Sequence, residues 1–188
     1  VTPSPIITGH INDTVCTGDS SKSTNWMSSI PGTTYTWTNS NPAIGLPASG
    51  TGTVPKFKTP DFIAMPQITG TITIRSFGGG CSGAPVTYTV FVRRKPNITL
   101  AGVSRFYCDG ASGSITVGTT APGTISWVND NPATGLAASG SNGFINFTAT
   151  NTTSDSIISN VTASAFNPTT RCTKDTTFRI VVYPRPDV

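Results

Sequence analysis

Polar and apolar residues alternate in short runs along most of this 188-residue chain, the period-two pattern of strands that bury one face. Residues 33–39 read Thr-Thr-Tyr-Thr-Trp-Thr-Asn and put Tyr35 and Trp37 on one face. Ile125 and Trp127 hold the same places further along, and Phe178, Ile180 and Val182 alternate with polar residues near the end. The pattern predicts further strands over residues 54–58, 69–77 and 85–93, then over 114–117, 143–150, 157–166 and 176–183. Gly, Pro and Asn separate these runs. No stretch predicts a helix of three turns: residues 62–65 are too few and Pro66 closes them. Strands of this length and spacing predict an all-β chain built as antiparallel β-sandwich.

The pattern also occurs twice. Around Trp37 the chain reads Trp-Thr-Asn-Ser-Asn-Pro-Ala-Ile-Gly-Leu-Pro-Ala-Ser-Gly, and around Trp127 Trp-Val-Asn-Asp-Asn-Pro-Ala-Thr-Gly-Leu-Ala-Ala-Ser-Gly. Pro42 and Pro132, Leu46 and Leu136, Gly50 and Gly140, and Phe57 and Phe147 keep the same offset as the two tryptophans. A repeat of this length means two copies of one domain, here 1–97 with its opening connector and 98–188. Asn-Pro followed by Gly-Leu predicts a turn after each Trp strand, and Pro96 and Pro186 close the last strands. The connector between the copies is short and predicts limited bending between them. Residues 5–9 resemble residues 96–100, which is what a cut through a longer tandem array would leave.

Domains this small bury a limited core and gain from a staple. Each copy has two cysteines, Cys16 and Cys81 in the first and Cys108 and Cys172 in the second. Their near-identical separations predict Cys16–Cys81 and Cys108–Cys172 bridges, each tying a first strand to the loop before the last strand. Four free thiols are the competing account; zinc is not, since no CxxC pair exists. Disulfides imply an extracellular location.

All eight acidic residues are Asp, and only 11% of residues are charged. The net charge of +4 is scattered apart from Arg93-Arg94-Lys95, without the basic, aromatic-studded face that nucleic acid requires. No run approaches the roughly 20 apolar residues of a membrane span, so no membrane insertion is expected.

The Cys-x-Gly start, the Pro-Gly-Thr before the Trp strand, the Asn-Pro-x-x-Gly-Leu-x-Ala-Ser-Gly block and the second Cys resemble the PKD-like, immunoglobulin-like repeats of very large Bacteroidota surface proteins. That group includes gliding-motility adhesins exported by the type IX route. The resemblance covers both copies. It implies two tandem Ig-like (PKD-like) sandwiches at the cell surface, acting as stalk or filament, with neighbouring repeats of the same or an identical chain as partners. No catalytic residues and no cofactor carry over. It also implies O-glycans at Asp-Ser/Thr motifs, here on Thr14, Ser156 and Thr176. Trp26 and Met27, without counterparts in the second copy, depart from the pattern.

Candidate chemistry is sparse. His10 is the one histidine, and it precedes the first domain's core, so no Ser–His–Asp set is duplicated. Asp19, Asp61, Asp109, Asp130 and Asp155 stand singly in turn contexts, and of these Asp109 and Asp130 are the two that could serve a calcium ion. Gly78-Gly79-Gly80 lacks the Lys and helix of a phosphate loop. Asn12, Asn97, Asn146, Asn151 and Asn160 begin Asn-x-Thr sequons, which a Thr- and Asn-rich chain also produces by chance. Trp37 and Trp127 are expected in the core. Trp26, among polar residues, is the candidate exposed contact for a partner or a glycan. The chain thus reads as a non-enzymatic structural repeat; the alternative is a polysaccharide-binding sandwich.

Overall fold

The computed structural model describes all residues except 1, 2, 10, 23, 25, 63, 103, 121 and 186–188. His10 and Pro186 therefore lie outside the described residues. The chain divides into two compact units, Val1–Arg94 and Lys95–Val188.

In the first unit the strands are β1 Ile7–Thr8, β2 Asp13–Cys16, β3 Met27–Ser28, β4 Thr34–Asn39, β5 Ser49–Thr51, β6 Gln67–Gly78, β7 Cys81–Ser82 and β8 Val86–Arg93. The main sheet runs β2-β8-β6-β4-β5, with β7 folded back on the end of β6. All its pairings are antiparallel except one: β2 runs parallel to β8, with Cys16 opposite Arg93. The opposing layer is slight. Among the described residues it consists of the β1–β3 pair and an isolated bridge between Ser20 and Lys58.

The second unit contains β9 Ile98–Ala101, β10 Phe106–Cys108, β11 Ser112–Thr119, β12 Thr124–Asn129, β13 Ser139–Gly140, β14 Phe144–Thr148, β15 Ile157–Asn167 and β16 Cys172–Tyr183. Its main sheet, β10-β16-β15-β12-β13, repeats the first, including the parallel pair β10–β16. Its second sheet is fuller, with β11 between β14 and β9.

Most expected strands are present, several longer than expected at one end. Residues 54–58 are the exception. They form no strand, whereas 144–148 in the second unit do. Pro55 removes a ladder donor from the first segment, and the second segment has no proline.

Alternation puts Ile72, Ile74, Tyr88, Val90 and Val92 in the first core and Val161, Ala163, Phe178, Ile180 and Val182 in the second. Trp37 and Trp127 are buried in the same place of each unit. Each lies under a glycine of the next strand, where a Cβ on Gly50 or Gly140 would overlap the indole ring. Tyr88 edges against Trp26, and Tyr107 against Phe147. Burial pushes both phenol pKa values up.

The close approach of Gly140 to Trp127 makes a direct prediction. Gly140→Ala should lower the unfolding free energy of the second unit by about 1–3 kcal/mol, the range for overpacking a core. Denaturant unfolding followed by tryptophan fluorescence checks it; a loss below about 0.5 kcal/mol would mean the glycine is not needed for packing.

Candidate functional site

The block that repeats most faithfully is a candidate site, and its geometry shows what it does. After the Trp strand the chain turns sharply through a 3-10 turn, Pro42–Ile44 in one unit and Pro132–Thr134 in the other. Asn39, buried at the end of β4, holds this turn from beneath. Its Nδ2 donates to the carbonyls of Leu46 (2.8 Å) and Asn41 (3.1 Å), and its Oδ1 accepts from the Asn41 N–H. Asn41 then caps the turn by accepting from the Ala43 N–H, and its own Nδ2 donates to the Thr69 carbonyl on β6. Asn129 and Asn131 repeat every bond, to Leu136, Asn131, Ala133 and Ile158. Gly45 and Gly135 end the turns at φ of 99° and 87°, a region that favours glycine. The two units differ beneath the turn in a compensated way. Gly70 leaves room there for Ile44, whereas Ser159 donates to Asn129 beside the smaller Thr134. The repeated residues thus serve internal bonding and present no reactive group.

The other candidates are dispersed. Trp26, expected as an exposed contact, is only 6% exposed and packs against Tyr35 and Tyr88. That expectation is corrected: its indole extends the core where the first unit's second layer is thin. Met27 beside it is the exposed residue. Thr14 and Ser156 are exposed and Thr176 is half-buried, on β2, before β15 and on β16, so no common surface is formed. Asn151 is buried, its Nδ2 donating to the carbonyls of Asp155 and Val182, which removes its sequon from the surface. Asp109 meets Arg185 at 3.3 Å and accepts from the Asn151 N–H. Asp130 accepts from the Asn160 side chain and N–H, which lower its pKa. No cluster able to hold a metal ion occurs among the described residues.

The cysteines give the largest correction. Cys81 and Cys108 are free thiols, so neither Cys16–Cys81 nor Cys108–Cys172 forms; Cys16 and Cys172 are each oxidised. The reason is strand direction. Because β2 runs parallel to β8, Cys16 lies at the end of the sheet where β8 finishes, opposite Arg93 and beside Gln67. Cys81 pairs with Gly78, at the other end of the 12-residue strand β6. The two are separated by about 36 Å at ~3.3 Å per residue, against the ~4.4–6.8 Å between Cα atoms that a disulfide needs. Cys108 opposite Tyr183 and Cys172 opposite Asn167 are held apart in the same way by the 12-residue β16.

Each unit therefore has one cysteine at the end where the chain comes in and one where it leaves. At the inlet end of the first unit the Pro5 carbonyl lies against Gly83, close to Cys81. At the inlet end of the second, Asn97 accepts from the Thr120 N–H, and Gly123 lies against the Phe166–Asn167 backbone at the Cys172 hairpin. Cys16 and Cys108 mark the outlet ends, opposite the last residues of β8 and β16.

The sequence matches no family model and no curated protein. Among solved structures it is similar to a SusE-like surface-located polysaccharide-binding protein of the Bacteroides thetaiotaomicron heparin utilisation locus. Identity there is 11% and the TM-score 0.44, over 96% of this chain and 34% of that one, so this chain spans about a third of that protein's length. It is also similar to human protocadherin-24 EC1-2 (12% identity, TM-score 0.38, all of both chains). Sidekick-1 immunoglobulin domains 1–4 give 14% identity and a TM-score of 0.39, over 97% of this chain and 49% of that one. The fold class, all-β with sheets in both units, rests on the strand pairings of the chain itself.

Two predictions follow from these geometries. Asn129→Ala strands the Leu136 carbonyl and frees the turn, and should cost the second unit about 1–3 kcal/mol in denaturant unfolding; an unchanged midpoint would show that the amide does not hold the turn. Thiol titration of the unreduced chain should find two reactive groups, rising to four after reduction, with alkylation mapped to Cys81 and Cys108. Label on Cys16 or Cys172 before reduction would contradict the assignment.

Proposed function

We propose that this chain is a structural segment of an extracellular, cell-surface protein, in which each unit is a stiff repeat that bears load. The observation that carries the reading is that the duplicated block is an internal lock in both units, so the property repeated is a scaffold. The disulfide supports an oxidising location outside the cytosol. No helix among the described residues is long and apolar enough to cross a membrane.

In this reading the partners are neighbouring repeats, and a PKD-like adhesin of the gliding type is the proposed parent. A polysaccharide-binding role would need a platform other than Trp26, whose faces are covered.

Single-molecule pulling between the termini tests the reading. The reduced chain should release two discrete steps of roughly 300 Å, one per unit, as each stiff repeat gives way under load. A chain that extends smoothly, without discrete steps, would overturn it.

A further inference from the structure

The outer face of the second unit's main sheet carries side chains that the fold itself does not require. Phe106 on β10, Val181 on β16 and Ile158 on β15 lie opposite one another in register, on the side of the sheet away from the core. Phe106 is 60% exposed and stacks on exposed Tyr183, with ring centroids 6.2 Å apart and planes at 24°. Arg105 and Arg179 are exposed beside this row, one immediately before Phe106 and the other two residues before Val181 on the same face. Among the described residues neither guanidinium meets a carboxylate. Asp109 is taken by Arg185, Asp130 is held by Asn160, and Asp175 is four residues from Arg179, about 13 Å along β16.

Two open depressions lie on this face. One, of about 270 Å³, is lined by Arg105, Phe106, Ser156, Arg179, Val181 and Tyr183. The other, of about 510 Å³, shares both arginines and adds Asn160 and Thr177. The first repeat is an internal reference for these residues. Counted back from the matched Cys16 and Cys108, Thr14 takes the place of Phe106 and Asp13 that of Arg105. By the same strand pairing Phe91 stands for Val181, Arg93 for Tyr183, Thr89 for Arg179 and Thr69 for Ile158. The sheet therefore forms without the aromatic pair and without the two arginines, and tolerates a carboxylate in one of their places.

We propose that this face of the second unit binds an anionic polysaccharide. The apolar face of a sugar ring packs on Phe106 and Tyr183, and carboxylate or sulfate groups along the polymer accept charge-assisted hydrogen bonds from Arg105 and Arg179. Asn160 gives its Nδ2 to Asp130 and keeps Oδ1 as an acceptor for a sugar hydroxyl. Open depressions suit a polymer lying along the surface, where a small molecule would need an enclosing pocket. The unpaired positive charge sets the sign of the ligand. Two arginines are too few to track the backbone of a nucleic acid strand, which needs a continuous basic groove. The proposal goes beyond the load-bearing reading and does not depend on it.

The test titrates the full chain with alginate, dextran sulfate, uncharged dextran and an oligothymidine strand, and reads binding by calorimetry. Wild type should bind alginate or dextran sulfate and not dextran, the tighter of the two telling whether carboxylate or sulfate is recognised. Replacing both arginines, Arg105→Ala with Arg179→Ala, should weaken binding about tenfold or more. Phe106→Ala and Tyr183→Ala should each weaken it about threefold or more. Arg75→Ala, which removes an exposed arginine from the outer face of the other repeat's sheet, should leave it unchanged. All five positions are exposed, so the variants should keep the parent's unfolding midpoint. Failure to bind either anionic polymer, binding that survives the double variant, or an equal loss in Arg75→Ala would overturn the proposal. So would an oligothymidine bound as tightly as the polysaccharides, or arginine-dependent binding that ignores both aromatic variants, since these report charge alone. The pulling result stands or falls separately.

Discussion

The parallel alignment of the first cysteine-bearing strand with the last strand of each unit is the constraint from which the rest follows. Every other pairing in the main sheets is antiparallel, and a chain of hairpins would bring the start of one strand to the end of the next. By lying beside β8 in the same direction, β2 instead carries Cys16 to the finishing end of the sheet, while Cys81 stays at the end where β8 approaches. The second unit repeats the arrangement with β10 and β16. A long central strand then acts as a spacer. No side-chain adjustment closes tens of ångströms, so the two cysteines of a unit do not bond to each other.

The second determinant is the asparagine lock. A polar side chain buried without partners is costly, and Asn39 and Asn129 avoid that cost by bonding to the backbone of the turn they support. The consequence is stiffness at the corner that follows the buried tryptophan. Gly50 and Gly140 add to it by letting the neighbouring strand lie directly on the indole. These bonds explain why the block is repeated so closely while the opposing layer varies, from a two-stranded fragment in the first unit to three strands in the second.

Much of this was legible in the sequence. Alternation located the long strands of both main sheets, though not the short ones at their edges, the 90-residue offset pointed to the duplication, and Trp37 and Trp127 were placed in the core by their position on alternating strands. The disulfide was not legible, because matched Cys–Cys spacing says nothing about strand direction, and a parallel pair reverses the conclusion that a hairpin picture gives. Trp26 was misplaced for a related reason. Its neighbours in sequence are polar, but the first unit's thin second layer leaves space over Tyr35 and Tyr88 that a large side chain must fill. The role of the asparagines was visible as a turn signal, though their bonds to Leu46 and Leu136, seven residues on, needed the structure.

The central claim is that the sheet holds the two cysteines of a unit at opposite ends, and a distance measured within one unit tests it most directly. Nitroxide labels on Cys108 and on a cysteine introduced by Lys174→Cys, in a Cys81→Ser background, would report the length of β16 by pulsed electron spin resonance. The account predicts about 30 Å between the labelled backbone positions, nine residues of extended strand apart. A separation of about 10 Å would contradict it and would restore a bridge within the unit.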